Sequence, residues 1–221
     1  MHPYGIVIPN KYEDIIQPLL ESIKVLIPTP MPEILVIANE HDRDYGFSKI
    51  PYPDDFFVFA RSANIGINHL VGKDVILVND DISLMNFDFF NRLSEIAYFS
   101  DRIGILSPLI MGCVGQRLQR WHGQGEVWRR NHRIQDVPIN EPLCFPCVFL
   151  KRKMLDQVGF LDESFKAYGG EDVEMCSRVR SAGWRTSVSR DLVVQHGDGS
   201  DLLGPGRGKS WSLSYARRDK Y

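Results

Sequence analysis

Apolar residues along the chain gather into short unbroken runs, and stretches of helical spacing separate them. The first run, residues 4–8, closes at Pro9-Asn10 and predicts a buried strand. Ile15, Ile16, Leu19, Leu20, Ile23 and Leu26 then recur as one apolar stripe of an amphipathic helix. Runs at 34–37, 56–60 and 75–78 predict three further strands, a helix follows across 87–98, and 103–106 reads as a fifth strand. These runs are apolar at every position rather than alternating, as strands are when helices cover both faces of their sheet. Strands alternating with helices mean βαβ units, so the expected fold is α/β with a mostly parallel central sheet. Ligands of such sheets bind beyond the carboxyl ends of the strands. The residues just after each run are therefore the place to look for chemistry.

From about 108 to 146 the rhythm breaks into a stretch rich in Gly, Arg, Trp and Pro. Order resumes at Val148, with a helix expected over 151–158. A second helix starts near Glu171, where Val173, Cys176, Val179 and Ala182 lie three apart and Gly183 supplies the stop. A last strand, 192–195, ends at His196. Beyond Gly197 the chain is rich in Gly and Ser, then basic. There is no internal repeat and no clear linker. One domain is expected over 1–221, with a nucleotide-binding half at 1–107, an acceptor and catalytic half at 108–200, and a lid or flexible tail at 201–221.

Composition narrows the function by exclusion. A chain of 221 residues with 43% hydrophobic content can bury a substantial core. A formal net charge of -2 gives no basic field for bulk nucleic-acid binding. No run approaches the roughly 18 apolar residues of a membrane helix. The start, His2-Pro3-Tyr4, has no signal-peptide character, so a cytoplasmic protein is expected. Of the four cysteines, Cys144 and Cys147 form a CxxC. Zinc would need a second matching pair, and Pro142, Phe145 and Pro146 surround this one, so plain structural thiols are expected.

Three constellations carry candidate chemistry. Asn79-Asp80-Asp81 directly follows a predicted strand, where hard carboxylate oxygens suit Mg²⁺ or Mn²⁺ held against a diphosphate. The pair can equally be a polar turn with Asp81 capping the next helix. Gly169-Gly170-Glu171-Asp172 opens a helix, whose dipole favours ionised acids in its first turn. Such a carboxylate can act as a general base toward a hydroxyl, or simply as a cap. His196 ends the last strand and is either a metal ligand or structural.

The order of these motifs resembles a known family. Pro9-Asn10 follows the first strand, Ala38-Asn39 the second, and Asn64-x-Gly66 is expected to open a helix. Then come Asn79-Asp80-Asp81, the run Gly159-Phe160-Leu161-Asp162-Glu163-x-Phe165, the pair Glu171-Asp172, and His196. Over residues 4–200 the chain is similar to the family 2 glycosyltransferases of GT-A fold, notably their rhamnosyltransferase-like and galactofuranosyltransferase-like branches. The resemblance implies an inverting transfer of a sugar from a nucleotide diphosphate donor (UDP- or dTDP-linked) to a glycan or other hydroxyl acceptor, with Mn²⁺ or Mg²⁺ as cofactor. Asp81 matches the last acid of the family's metal-binding D-x-D motif, with Asp80 in its middle. Asn79 replaces the first Asp, and one charge on the metal is lost. Asp172 matches the general base with Glu171 beside it, and His196 matches a further metal ligand of some relatives. Asn39, Asn64 and Gly66 match the nucleoside pocket, and the implied donor site also takes in Pro9, Asn10, Arg61 and Gly170. Ala38 stands where many relatives carry an Asp that contacts a uracil-type base.

Trp121 and Trp128, among Arg117, Arg120, His122, Arg129, Arg130 and His132, offer flat faces for sugar stacking, or plug the core beneath a long loop. Arg207 and Lys209 lie in a segment that imitates a phosphate-binding P-loop, but Leu203 occupies the required Gly position. They belong either to a lid over the diphosphate or to a basic tail. Two rivals stand beside the transferase. A sugar nucleotidyltransferase would carry a Gly-rich basic loop where Pro9-Asn10-Lys11-Tyr12 stands, and a non-catalytic sugar-binding module would need neither Asp81 nor Asp172.

Overall fold

Helices on two sides bury the central strands, and the chain makes those helices where the apolar spacing changes from continuous to three-and-four. The computed structural model describes residues 3–11, 15–39, 43–53, 56–112, 118–119, 134–166 and 169–197. The strands are β1 (Tyr4–Asn10), β2 (Glu33–Ala38), β3 (Ser48–Pro51), β4 (Asp74–Val78), β5 (Ile82–Leu84), β6 (Ile103–Met111), β7 (Ile134–Asp136), β8 (Cys147–Leu150) and β9 (Arg185–His196). The helices are α1 (Gln17–Leu26), α2 (Phe59–His69), α3 (Phe89–Ala97), α4 (Arg152–Val158) and α5 (Glu171–Ser181). Alternate residues of each central strand face opposite layers. Ile6, Ile8, Val36, Ile76 and Val78 pack with Leu19, Ile23, Phe89 and Leu93 of α1 and α3. Val7, Leu35, Ile37, Val75 and Leu77 pack with Ala63, Ile67, Leu155 and Val179 of α2, α4 and α5.

Among the described residues the strands join one sheet in the order β3-β2-β1-β4-β8-β6-β9-β5, with β7 on β9. The architecture is α/β, as the sequence leads one to expect. Parallel pairing holds through β3, β2, β1 and β4, and again between β6 and β9. β8 runs antiparallel between β4 and β6, and β5 and β7 pair antiparallel with β9. The mostly parallel expectation thus describes the first half, and the second half is mixed. β8 begins at the edge where β4 ends, with the Asn79 N–H donating to the Pro146 carbonyl at 2.8 Å, so it must run the other way.

The strand expected at 56–60 is corrected. Residues 56–58 lead into α2, and the third strand is instead β3, a mostly exposed edge strand with no apolar run. A short apolar run cannot distinguish a buried strand from the start of a buried helix. Here Ala60, Ala63 and Ile67 carry the core-facing helical spacing. Asn64 and Gly66 accordingly lie in the middle of α2 rather than at its opening. Gly66 lets the helix approach β1 closely, since a Cβ there would collide with the Val7 side chain. Cys144 and Cys147 form no disulfide, and Cys147 and Cys176 are buried.

Candidate active site

Parallel strands that end together bring their following residues to one edge. Asn10 ends β1, Asn39 follows β2 and Asn79-Asp80-Asp81 follows β4. The chain then reverses sharply into β5, whose Ile82 pairs with His196 at the end of β9. The Gly197 N–H donates to the Asp81 carbonyl at 2.9 Å and fixes this junction. As a result His196 Nε2 lies 3.2 Å from Asp81 Oδ2. Two residues 115 positions apart along the chain meet because a three-residue strand carries one past the other.

The Asp81 carboxyl is buried, and its Oδ1 has no hydrogen-bond partner. Burial pushes its pKa up to about 7. Asn39 Oδ1 and Asn79 Oδ1 are likewise buried and without hydrogen-bond partners. Leaving such a group unpaired costs about 1–3 kcal/mol. Three orphaned acceptor oxygens, following β2 and β4 on either side of β1, are unmet demand for donors or a cation. A carboxylate and an imidazole fit Mn²⁺ or Mg²⁺, and these ions commonly take only one or two protein ligands beside phosphate oxygens and water. The described residues contain no cluster of three or more His, Cys, Asp or Glu side chains able to hold a metal by themselves.

Asp80 turns the other way. Its Oδ2 accepts from Asn10 Nδ2 at 3.0 Å and from the Lys11 N–H at 3.1 Å, so β1 holds it. Pro9 sits within β1, paired with Ile37.

Glu171 and Asp172 open α5. Gly169 and Gly170 precede them at φ 91 and 109, a region open to glycine and strained for other residues. Asp172 Oδ1 accepts from the Gly170 N–H at 3.3 Å and the Val173 N–H at 2.8 Å. Glu171 is buried, and burial raises its carboxyl above the usual range. One helical turn beyond Asp172, Cys176 Sγ receives the Leu143 N–H at 3.4 Å. Leu143 stands three residues before Pro146, which hydrogen-bonds Asn79. The first turns of α5 and the Asn79 turn thus adjoin the two ends of one segment at most about 11 Å long.

Asn64 and Arg61 both reach the loop after α4. The Asn64 amide donates to the Leu161 carbonyl at 2.9 Å and to Glu163 Oε1 at 2.9 Å, and accepts the Leu161 N–H at 3.1 Å. Arg61 Nε pairs with Glu163 Oε2 at 3.0 Å. Arg178 donates to the Val158 and Phe160 carbonyls. Together they clamp the loop that leads to Gly169. Sequence reasoning missed Arg178, Tyr45 and Gln119. Gln119 is fully buried and stitches Ser107 to both backbone groups of Cys144. A lone polar residue inside an irregular stretch carries no periodic signal. Trp121, Trp128, Arg207 and Lys209 lie outside the described residues.

This sheet, with its reversal after β4, is the GT-A fold of glycosyltransferases, and solved structures share it. GalNAc-T7, crystallised with UDP, GalNAc and Mn²⁺, aligns at a TM-score of 0.67 and 13% identity, over 89% of this chain and 44% of that one. The mannosyltransferase PcManGT from Pyrobaculum calidifontis, in complex with GDP-Man and Mn²⁺, aligns at 0.65 and 15%, over 97% and 61%. TarS of S. aureus aligns at 0.63 and 15%, over 90% and 37%. In sequence, the uncharacterized protein y4gI of Sinorhizobium fredii is 27% identical over 150 residues, 58% of this chain and 16% of that protein. Human polypeptide N-acetylgalactosaminyltransferase 18 is 33% identical over 60 residues, 27% of this chain and 10% of the enzyme. The chain therefore spans a small part of the curated relatives it matches. No family model matches it. No helix among the described residues is long and apolar enough to cross a membrane.

Proposed function

We propose that the chain is an inverting, metal-dependent glycosyltransferase of family 2 type that moves a sugar from a nucleotide diphosphate donor to a glycan or other hydroxyl acceptor. The observation that carries this reading is the buried Asp81 carboxyl, with one oxygen unpaired and the other 3.2 Å from His196, at the ligand-binding edge of a GT-A sheet. A divalent ion held there supplies positive charge where the leaving diphosphate becomes negative. Asp81 and His196 are the residues that would hold it.

Asp172 acts as the base. As the acceptor oxygen forms its bond to the anomeric carbon, the acceptor proton passes to Asp172. The bond between the anomeric carbon and the diphosphate breaks, and its electron pair leaves with the phosphate oxygen. One base and one displacement invert the anomeric centre. Glu171, buried and held toward its neutral form, lies beside Asp172 as a support of the helix start or a contact to the acceptor. Asn39 and Asn79 present acceptor oxygens suited to N–H or O–H groups of a nucleoside. UDP-sugars are the first choice and dTDP-sugars, including the rhamnose donor, the second; the GDP-Man held by the mannosyltransferase neighbour adds GDP-sugars to the panel.

The test is donor turnover. The chain is incubated with Mn²⁺ and UDP-, dTDP- and GDP-sugars, and released nucleoside diphosphate is measured with and without glycan acceptors. Release from at least one donor is expected. Pyrophosphate or monophosphate instead points to a nucleotidyltransferase, and binding without any release to a non-catalytic module.

A further inference from the structure

Tyr45, Asn10 and Asp80 form a buried line from the segment after β2, across the end of β1, to the turn after β4. Tyr45 is 2% exposed, Asn10 1% and Asp80 6%. The Tyr45 hydroxyl donates to Asn10 Oδ1 at 2.9 Å, and Asn10 Nδ2 donates to Asp80 Oδ2 at 3.0 Å. The Lys11 N–H reaches the same carboxylate oxygen at 3.1 Å.

Chemistry fixes the direction of this line. An ionised carboxylate only accepts, so Asn10 must turn its NH₂ toward Asp80 and its carbonyl oxygen toward Tyr45. That carbonyl also only accepts, so the tyrosine hydroxyl must be the donor. Without the hydroxyl, a buried carbonyl loses this donor. A flip of the amide gives no remedy, because the carbonyl oxygen would then face the carboxylate. Asp80 is joined to Asp81 by a single peptide bond, so slack at Asn10 becomes slack in the turn that carries Asp81.

We propose that Tyr45 is a positioning residue of the donor site. By fixing the Asn10 amide it holds Asp80, and with it the turn from which Asp81 meets the metal–diphosphate. This inference rests on the glycosyltransferase reading above. Tyr45 belongs to the same inter-strand segment as Asn39, between β2 and β3.

Tyr45→Phe removes one oxygen and keeps the buried ring. Mn²⁺ uptake is measured by electron paramagnetic resonance with UDP present, and with GDP in a parallel series, so that the site is read without turnover. The Mn²⁺ Kd of Tyr45→Phe is expected to rise roughly three- to tenfold, the equivalent of one hydrogen bond. The metal concentration for half-maximal transfer should rise in step, while kcat at saturating Mn²⁺ stays within about twofold of the parent. Asp80→Asn should weaken Mn²⁺ similarly, and Tyr45→Phe should add little to it, because both act through one carboxylate. Unchanged Mn²⁺ affinity in Tyr45→Phe, with or without a lower melting temperature, overturns the proposal, as does full additivity in the double variant. Asp81→Ala separates this idea from its foundation. If that variant still takes up Mn²⁺ with UDP or GDP, or if the parent takes up none, the donor-site reading falls. If Asp81→Ala loses Mn²⁺ and Tyr45→Phe does not, the relay alone is wrong.

Discussion

Asn64 pairs with the backbone of Leu161 in both directions, its side-chain amide standing in for a neighbouring strand. It donates to the Leu161 carbonyl and accepts the Leu161 N–H at 2.9 and 3.1 Å, inside the protein. Asn64→Ala should therefore lower stability by about 2–4 kcal/mol, since both backbone groups lose their partner at once. Urea unfolding with an unchanged m-value would measure it. A loss below about 0.5 kcal/mol would mean that the loop before α5 finds other anchors.

The general-base reading of Asp172 is the most direct to test. Asp172→Asn keeps the side chain's shape and an oxygen for the Gly170 and Val173 N–H groups. Transfer should fall about 10²–10⁴-fold. Donor and Mn²⁺ binding by calorimetry should be unchanged. A near-parental transfer rate would reject the role.

Asp81 predicts a conflict between stability and metal binding. Its carboxyl titrates near pH 7 in the folded protein, against about 4 in an unfolded chain. Between those values the folded state holds a proton that the unfolded state has released. Metal-free stability should thus fall as pH rises from about 4 to about 7 and then level off. Asp81→Asn should flatten that decline, and above pH 7 the metal-free variant should melt at a higher temperature than the parent while failing to bind Mn²⁺. Parallel melting-pH curves for the two proteins would contradict the desolvation of this group.

Gly170 and Gly72 make a matched pair. Both have positive φ, 109 and 73, but a Cβ on Gly170 would stand 2.7 Å from the Phe165 ring, whereas Gly72 has nothing within 4 Å. Gly72→Ala should cost about 1 kcal/mol of backbone strain. Gly170→Ala should cost about 1–3 kcal/mol more and reduce transfer, because the ring or the helix start must shift. Equal losses in the two variants would show that Phe165 yields freely.

The central sheet was legible because its strands are buried on both faces, so β1, β2 and β4 read as apolar runs. The turn after β4 and the acids opening α5 were legible because short polar motifs stand out against such runs. β3, β5, β7 and β8 were not read as strands. Ser48-Lys49-Ile50-Pro51 is an exposed edge, and three-residue strands such as Ile82–Leu84 are too short to show a period. The partner of a side chain leaves still less trace. Nothing local to Asn64 says that it will bond a residue 97 positions away, and nothing local to Tyr45 points to Asn10. The bonds of Asn64 and Arg61 to Glu163, in the loop before α5, left no trace in the sequence either.

The position of β8 bears on how the chain assembles. This strand follows both β4 and β6 along the chain, yet it is spliced between them. A nascent chain ending near residue 107 has no neighbour for the free edge of β4, and closing that edge too soon with β6 would shut β8 out. In the finished sheet the later segment lies between two earlier ones, so the sheet is completed at its middle. A protein cut in two at that point would yield one fragment with a naked edge and another without a template.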